Sequence, residues 1–261
     1  MLFRSFGLQQ RVVERINSPF VVKVVEAERP RRYLYYLMAY VEGQSLSEWL
    51  RLHPQTSLAQ RLEIARQLVK AVQALHRHEV LHQHLHPDNI LIDRHGNLVL
   101  TDFGACHRRD SDSQGVAREL ARQVGLTEHS APEYALDTEV GRRSDQYSLA
   151  STIYWMLTGH LPYTQLPNHL RSHTDLEQMT YRRARLSNPA ISEDLDDALR
   201  RSLDPLRALR FRRISEFAYR LRPKPRAQTD DRRPPWREPA NVWQAIATVL
   251  LLLLILSWWL K

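Results

Sequence analysis

Val242 to Leu260 is a run of nineteen residues without a charged side chain, and its centre, Leu250–Leu256, is solid leucine and isoleucine. At 1.5 Å per residue a helix over this run is about 28 Å long, close to the hydrocarbon thickness of a bilayer. Its strongly apolar residues favour insertion by about 3–5 kcal/mol, and only Gln244, Thr248 and Ser257 oppose it. Trp243, Trp258 and Trp259 stand where interfacial aromatics belong. A buried core helix is the alternative, but the run has no polar face to turn to solvent. The sequence therefore predicts a single membrane-spanning helix over 242–260. Arg226, Arg232, Arg233 and Arg237 precede it and Lys261 follows. That asymmetry puts the preceding domain on the cytoplasmic side of a cell (inner) membrane. The opening Met1-Leu-Phe-Arg-Ser-Phe-Gly7 lacks the apolar core of a secretory signal.

Ahead of this helix, residues 223–241 carry repeated prolines and arginines with almost nothing to bury, and read as a basic linker. Residues 1–222 have the mixture of a folded domain; 43% apolar and 25% charged residues over the chain exclude wholesale disorder. The net charge of +8 is carried by arginine, since Lys23, Lys70, Lys224 and Lys261 are the only lysines. The arginines are scattered and no basic stripe alternates with aromatics, so a nucleic-acid partner is not expected. A solvated basic surface near an anionic membrane fits better. The single cysteine, Cys106, excludes an internal disulfide, fits a reducing compartment and reads as a small apolar residue.

Within 1–222, Leu8, Val12, Val13 and Ile16 predict a short amphipathic helix ending near Asn17-Ser18-Pro19. Val21–Val25 and Tyr33–Tyr40 predict two strands. Leu62, Ala65, Leu68, Val69, Val72 and Leu75 recur at helical spacing and predict a helix over 58–78. Asn89–Ile92 and Leu98–Leu100 flank Asp93-Arg-His-Gly-Asn97, a hairpin signal with Gly96 in the turn. Further helices are expected near 145–158 (closed by Gly159), 192–203 and 214–222.

Against this frame stand five short motifs. His82-Gln-His-Leu-His-Pro-Asp-Asn89 is followed thirteen residues after Asn89 by Asp102-Phe103-Gly104. Ala131-Pro132-Glu133, Asp145-Gln-Tyr-Ser-Leu149 and Asp204-Pro205 with Arg210 come later in the same order. Together they resemble the protein kinase superfamily, and Leu34-Tyr-Tyr-Leu-Met-Ala-Tyr-Val-Glu-Gly43, the His82-Gln83 start of the loop and the closing apolar tail resemble the bacterial Ser/Thr kinase half of membrane-anchored phosphatase–kinase fusion proteins. The catalytic loop H-R-D-x-x-x-x-N, D-F-G and A-P-E are that family's signatures. The resemblance covers about residues 6–222. It implies an α+β fold: the helical C-lobe of a kinase with a truncated N-lobe of helix C plus two strands, followed here by the membrane helix. It also implies an ion pair between Glu133 and Arg210.

The resemblance assigns roles residue by residue. His84 stands where the family has the Asp that accepts the substrate hydroxyl proton, and His86 where it has the loop Lys. Asn89 and Asp102 match the two Mg²⁺ ligands, and the backbone of Ala39 and Val41, in the hinge Met38–Val41, would meet an adenine. The helix C Glu falls at Gln9 or Gln10, Gly125-Leu126 replaces Gly-Thr, and no Gly-rich loop or third-strand Lys is found. ATP and Mg²⁺ are thus expected to bind weakly or not at all. The expectation is a membrane-tethered pseudokinase acting in signalling on a protein partner such as a kinase, phosphatase or transporter. The alternative is an active Ser/Thr kinase whose missing N-lobe strands come from elsewhere. A third reading takes His82, His84 and His86 as one side of an extended segment and half of a metal site.

Overall fold

The computed structural model of the chain describes residues 14–25, 37–108, 125–136, 138–166, 169–222 and 239–259. They fall into two units divided between residues 222 and 223. The first opens with a two-stranded antiparallel ribbon, β1 (Val24–Val25) and β2 (Leu37–Met38), in the register Val24↔Met38. The earlier part of the expected second strand, residues 33–36, lies outside the described residues, as do Gln9, Gln10 and most of the predicted first helix. Ile16 of that helix is buried.

β3 (Gly43–Ser45) leads straight into α1 (Leu46–Leu52). Gly43 is required here by contact: a Cβ on it would sit 2.2 Å from the Ile92 carbonyl oxygen across the ladder. Ser45 ends the strand and caps the helix, its Oγ accepting from the Glu48 N–H at 3.3 Å. The helix predicted over 58–78 is α2 (Leu58–Arg77), started by a reciprocal Ser57–Gln60 capping box. Its Ile64, Ala65, Leu68, Val69, Val72 and Leu75 are all buried, while Glu63 and Lys70 face solvent. That stripe is what holds α2, and truncating Leu68 or Leu75 to Ala should cost about 2–5 kcal/mol.

β4 (Val80–Leu81) follows after one left-handed residue, Glu79, and pairs antiparallel with β7 (His107–Arg108). Between them the predicted hairpin forms from β5 (Ile90–Asp93) and β6 (Leu98–Leu100), giving the antiparallel sheet β3-β5-β6. Its turn is set by Gly96 at φ +80° and by Asp93, whose Oδ1 accepts from the N–H groups of His95 and Asn97 at 2.8 Å each. The buried Gln67 side chain ties the hairpin to α2 by accepting from Leu98 N–H at 2.8 Å.

The helical half comprises α3 (Pro132–Ala135), α4 (Arg142–Thr158), α5 (Thr174–Gln178), α6 (Ala184–Ser187), α7 (Glu193–Ser202) and α8 (Ile214–Arg220). α4 packs against α2 and α7 and is buried nearly all round, so it has no polar face to reveal its start in the sequence. It begins three residues before the expected 145 and ends, as expected, on Gly159 at φ +75°.

The described residues of the second unit form one helix, α9 (Pro239–Trp259), of 21 residues. Leu250–Leu253, Ile255, Leu256, Trp258 and Trp259 are exposed along it, and the Thr248 hydroxyl is satisfied within the helix by Gln244 O at 2.8 Å. Counted over the described residues, no helix is long and apolar enough to cross a membrane. The side chains at 239–243, 245 and 254 of α9 are not among those described.

Candidate functional site

The loop after β4 is held by one buried carboxylate. Asp145, near the start of α4, accepts from the backbone N–H groups of His82 and Gln83 at 2.9 Å each and pairs with His76 Nε2 at 2.9 Å. Burial pushes its carboxyl upward, but the His76 contact and the two N–H groups outweigh that and hold it below the ordinary carboxylate range. With its neighbour's N–H fixed this way, Gln83 adopts φ +66°. A left-handed residue breaks the side-to-side alternation of an extended segment. His82 therefore parts from His84 and His86, which stay side by side.

His82 turns inward and is fully buried, its ring 5.4 Å from that of Phe103 and its Nε2 3.1 Å from the Thr101 carbonyl. Burial lowers its pKa to about 4, so the imidazole is neutral. The tautomer follows from the partners: Nε2–H donates to Thr101 O, and Nδ1 accepts from His84 N–H at 3.3 Å. This ring braces the Asp102-Phe103-Gly104 turn. Among the described residues no group of three or more His, Cys, Asp and Glu is placed to hold a metal ion, which corrects the metal-site reading of the histidine run.

His84 and Asn89 meet at the centre of the loop. Asn89 is buried, and its Nδ2 donates to His84 O at 3.0 Å and lies 3.2 Å from His84 Nδ1. His84 Nδ1 also lies 3.7 Å from Asp102 Oδ2, too long for a hydrogen bond and close enough to act electrostatically. Asp102, itself at φ +57°, accepts from Gly104 N–H at 3.1 Å. The His84 imidazole first, and then the Gly104 N–H, lower its pKa to about 2 against the effect of burial. His86 stacks obliquely on His84 with ring centres 4.6 Å apart. Burial and then His84 lower its pKa, so at neutral pH the position of the family's loop Lys carries no charge.

Asn89 and Asp102 offer oxygen donors of the kind Mg²⁺ takes. Asp102 is ionised, and Asn89 Oδ1 makes no hydrogen bond among the described residues. The two residues fit such an ion in chemistry, with the His84 ring beside both. In the hinge, Ala39 N–H donates to Lys23 O at 2.8 Å. This extends the β1–β2 ribbon and takes the Ala39 N–H away from any ligand.

The predicted ion pair is present. Arg210 Nη1 and Nη2 meet the two Glu133 oxygens at 2.8 and 2.9 Å, and both residues are buried. The guanidinium also donates to the carbonyls of Asp204, Arg143 and Pro205. Sequence reasoning passed over His129, which is buried, bonded to Ser151 Oγ at 3.0 Å and lowered by burial to a pKa of about 4. Its position two residues before Ala131-Pro132-Glu133 was the available signal. Cys106 is buried against His82 O, and burial raises its pKa, as a structural thiol requires. Residues 109–124, between the Asp102 and Ala131 motifs, lie outside the described residues.

A family model described as the protein kinase domain matches residues 9–215 of the chain. The mouse cAMP-dependent protein kinase catalytic subunit PRKX (Mus musculus) is 33% identical over 59% of this chain and 42% of its own length. The Bacillus subtilis serine/threonine-protein kinase PrkC is 28% identical over 61% of this chain and 24% of its own. The Myxococcus xanthus serine/threonine-protein kinase pkn2 is 28% identical over 69% of this chain and 22% of its own. The chain thus spans less than half the length of these curated relatives. With the Asp145-anchored loop, the buried Glu133–Arg210 pair and a domain match over most of its residues, the chain belongs to the protein kinase family.

Proposed function

We propose that this chain is a pseudokinase: a kinase-fold domain tethered to a membrane by α9, which works in signalling by binding and regulating a protein partner. The observation that carries the reading is His84 at the base position, with Asn89 Nδ2 3.2 Å from its Nδ1. A general base needs a free lone pair aimed at the substrate hydroxyl. Here Nδ1 is enclosed by Asn89 Nδ2 at 3.2 Å and Asp102 Oδ2 at 3.7 Å, and the ring brings no negative charge. Losing a general base costs about 10²–10⁴ in rate. The neutral His86 removes a cation that would balance the transferring phosphoryl group, a further loss.

Asn89 Oδ1 and Asp102 would hold Mg²⁺, and the bound ion would neutralise nucleotide phosphate charge. The hinge offers Ala39 O and Val41 N–H to an adenine. With so few contacts ATP binds weakly or not at all. The uncharged run 242–260 and the arginines ahead of it support the membrane tether and a cytoplasmic kinase-fold unit. The second reading, a kinase active once N-lobe strands join from another chain, is favoured by one observation. Leu37, Met38 and Tyr40 are 46, 45 and 90% exposed on β2 and the hinge.

Calorimetry with Mg²⁺-ATP on the full chain in detergent tests the proposal. We expect a dissociation constant no tighter than about millimolar, and the same for Asp102→Ala. Micromolar binding that disappears in Asp102→Ala would move the chain to the second reading.

A further inference from the structure

The arginines that are scattered along the sequence converge in space. Arg77 ends α2, Arg142 and Arg143 start α4, Arg207 lies in a 3-10 turn, and Arg212 and Arg213 precede α8. These six line two hollows of about 460 and 740 Å³, which share Arg142, Arg143, Arg212, Arg213 and Ser215 and so form one recess. Two carboxylates, Glu139 and Glu216, are in its wall. Arg207 pairs with Glu139 at 2.6 Å, and Arg142 with Glu79 at 2.7 Å. Arg143 donates through Nη1 to the carbonyls of Arg207 and Ala208, and neither of these brings a charge to balance its own. The side chains of Arg77, Arg212 and Arg213 are exposed and form no ion pair among the described residues, although Glu216 accepts from the Arg213 backbone N–H at 3.0 Å. Gln146, only 1% exposed, also lines the recess, and its Oε1 has no hydrogen-bond partner. A buried amide oxygen left unmatched calls for a hydrogen-bond donor such as water at that point, and that water has a second proton to give to an anion held by the arginines.

Guanidinium forks match phosphate oxygens two at a time, and several unbalanced ones around one hollow suit a multiply charged anion better than a carboxylate. Phe211 is the one aromatic in the wall, too little to form a stacking platform for bases. None of His84, His86, Asn89 and Asp102 lines the recess. We propose that this recess is a binding site for a phosphate-bearing anion, separate from the nucleotide site, whose source is a lipid headgroup or a soluble phosphate compound. The proposal holds whether or not the chain transfers phosphoryl groups.

The test uses the full chain in neutral detergent with EDTA, so that a Mg²⁺-dependent site stays silent. Inorganic pyrophosphate and the deacylated headgroup of phosphatidylglycerol are titrated separately, by thermal shift and calorimetry. We expect saturable binding of at least one. Arg212→Gln with Arg213→Gln should weaken it about tenfold or more without changing the melting temperature of the free protein. Arg77→Gln alone, a third exposed arginine, should weaken it less. Tighter binding of the headgroup assigns the site to membrane lipid, and tighter pyrophosphate binding assigns it to a soluble phosphate compound. No saturable binding of either probe, or equal affinity in the wild type and in both variants, would overturn the proposal.

Discussion

Replacing Arg210 by Leu removes one half of the Glu133–Arg210 pair and leaves a carboxylate, 4% exposed, with no cation beside it. Breaking a buried pair in this way costs about 3–5 kcal/mol. The Asp204, Arg143 and Pro205 carbonyls lose a donor as well, which places the effect at the upper end. In a domain of this size each kcal/mol moves the melting temperature by about 2–4 °C, so the variant should melt about 6–20 °C lower. Glu133→Leu with Arg210→Leu removes both charges and should regain at least about 2 kcal/mol over Arg210→Leu alone. The sign of the pH dependence is fixed too. In the wild type, burial raises the Glu133 carboxyl and Arg210 lowers it by more, for a net depression. Its contribution is complete above the unfolded value of about 4.3 and is lost as pH falls through the lower folded value. In Arg210→Leu the upward push of burial is opposed only by the Ser144 hydroxyl and the Glu133 backbone N–H, so the stability gap to wild type should narrow from pH 7 to pH 4. Urea unfolding of the full chain in detergent, followed by near-UV circular dichroism, measures all of this. A loss under about 1 kcal/mol, or a gap that does not change with pH, would refute the reasoning.

Three further outcomes follow from particular contacts. Gly43→Ala puts a methyl 2.2 Å from Ile92 O and should cost at least about 2 kcal/mol by separating β3 from β5, read from the melting temperature. His84→Ala removes the main influence that lowers Asp102, so its pKa should rise from about 2 toward 3.8, as carboxyl-carbon NMR would register. Cys106 should stay unlabelled by a thiol reagent in the folded protein and react on denaturation, since it is buried and its thiol is pushed up by burial.

The fold was legible where one residue type forces one local geometry. The apolar stripe of α2 and the Asp93–Gly96 turn placed two elements within a residue or two. α1 went unpredicted although Ser45-Leu-Ser-Glu48 is a capping signal, because its seven residues are too few for a periodicity to stand out. β4 and β7 are two residues each, and only their pairing across 26 positions defines them. For the site, the resemblance assigned His84, His86, Asn89 and Asp102, which share one loop region in the structure, and it anticipated Glu133 with Arg210. The left-handed turn at Gln83 was not legible, because Asp145, far along the chain, fixes the backbone there. That turn sends His82 into the core, away from His84 and His86. Nor does any local signal report that Ala39 N–H is taken by Lys23 O, or that six separated arginines line one recess.

The pseudokinase reading is tested most directly by phosphoryl transfer from Mg²⁺-ATP to protein substrate, measured for the full chain in detergent with radiolabelled ATP, wild type beside Asp102→Ala and His84→Ala. The account predicts rates indistinguishable from background for all three at pH 7. Turnover in the range of about 1–100 s⁻¹ typical of kinases, abolished by Asp102→Ala, would contradict it.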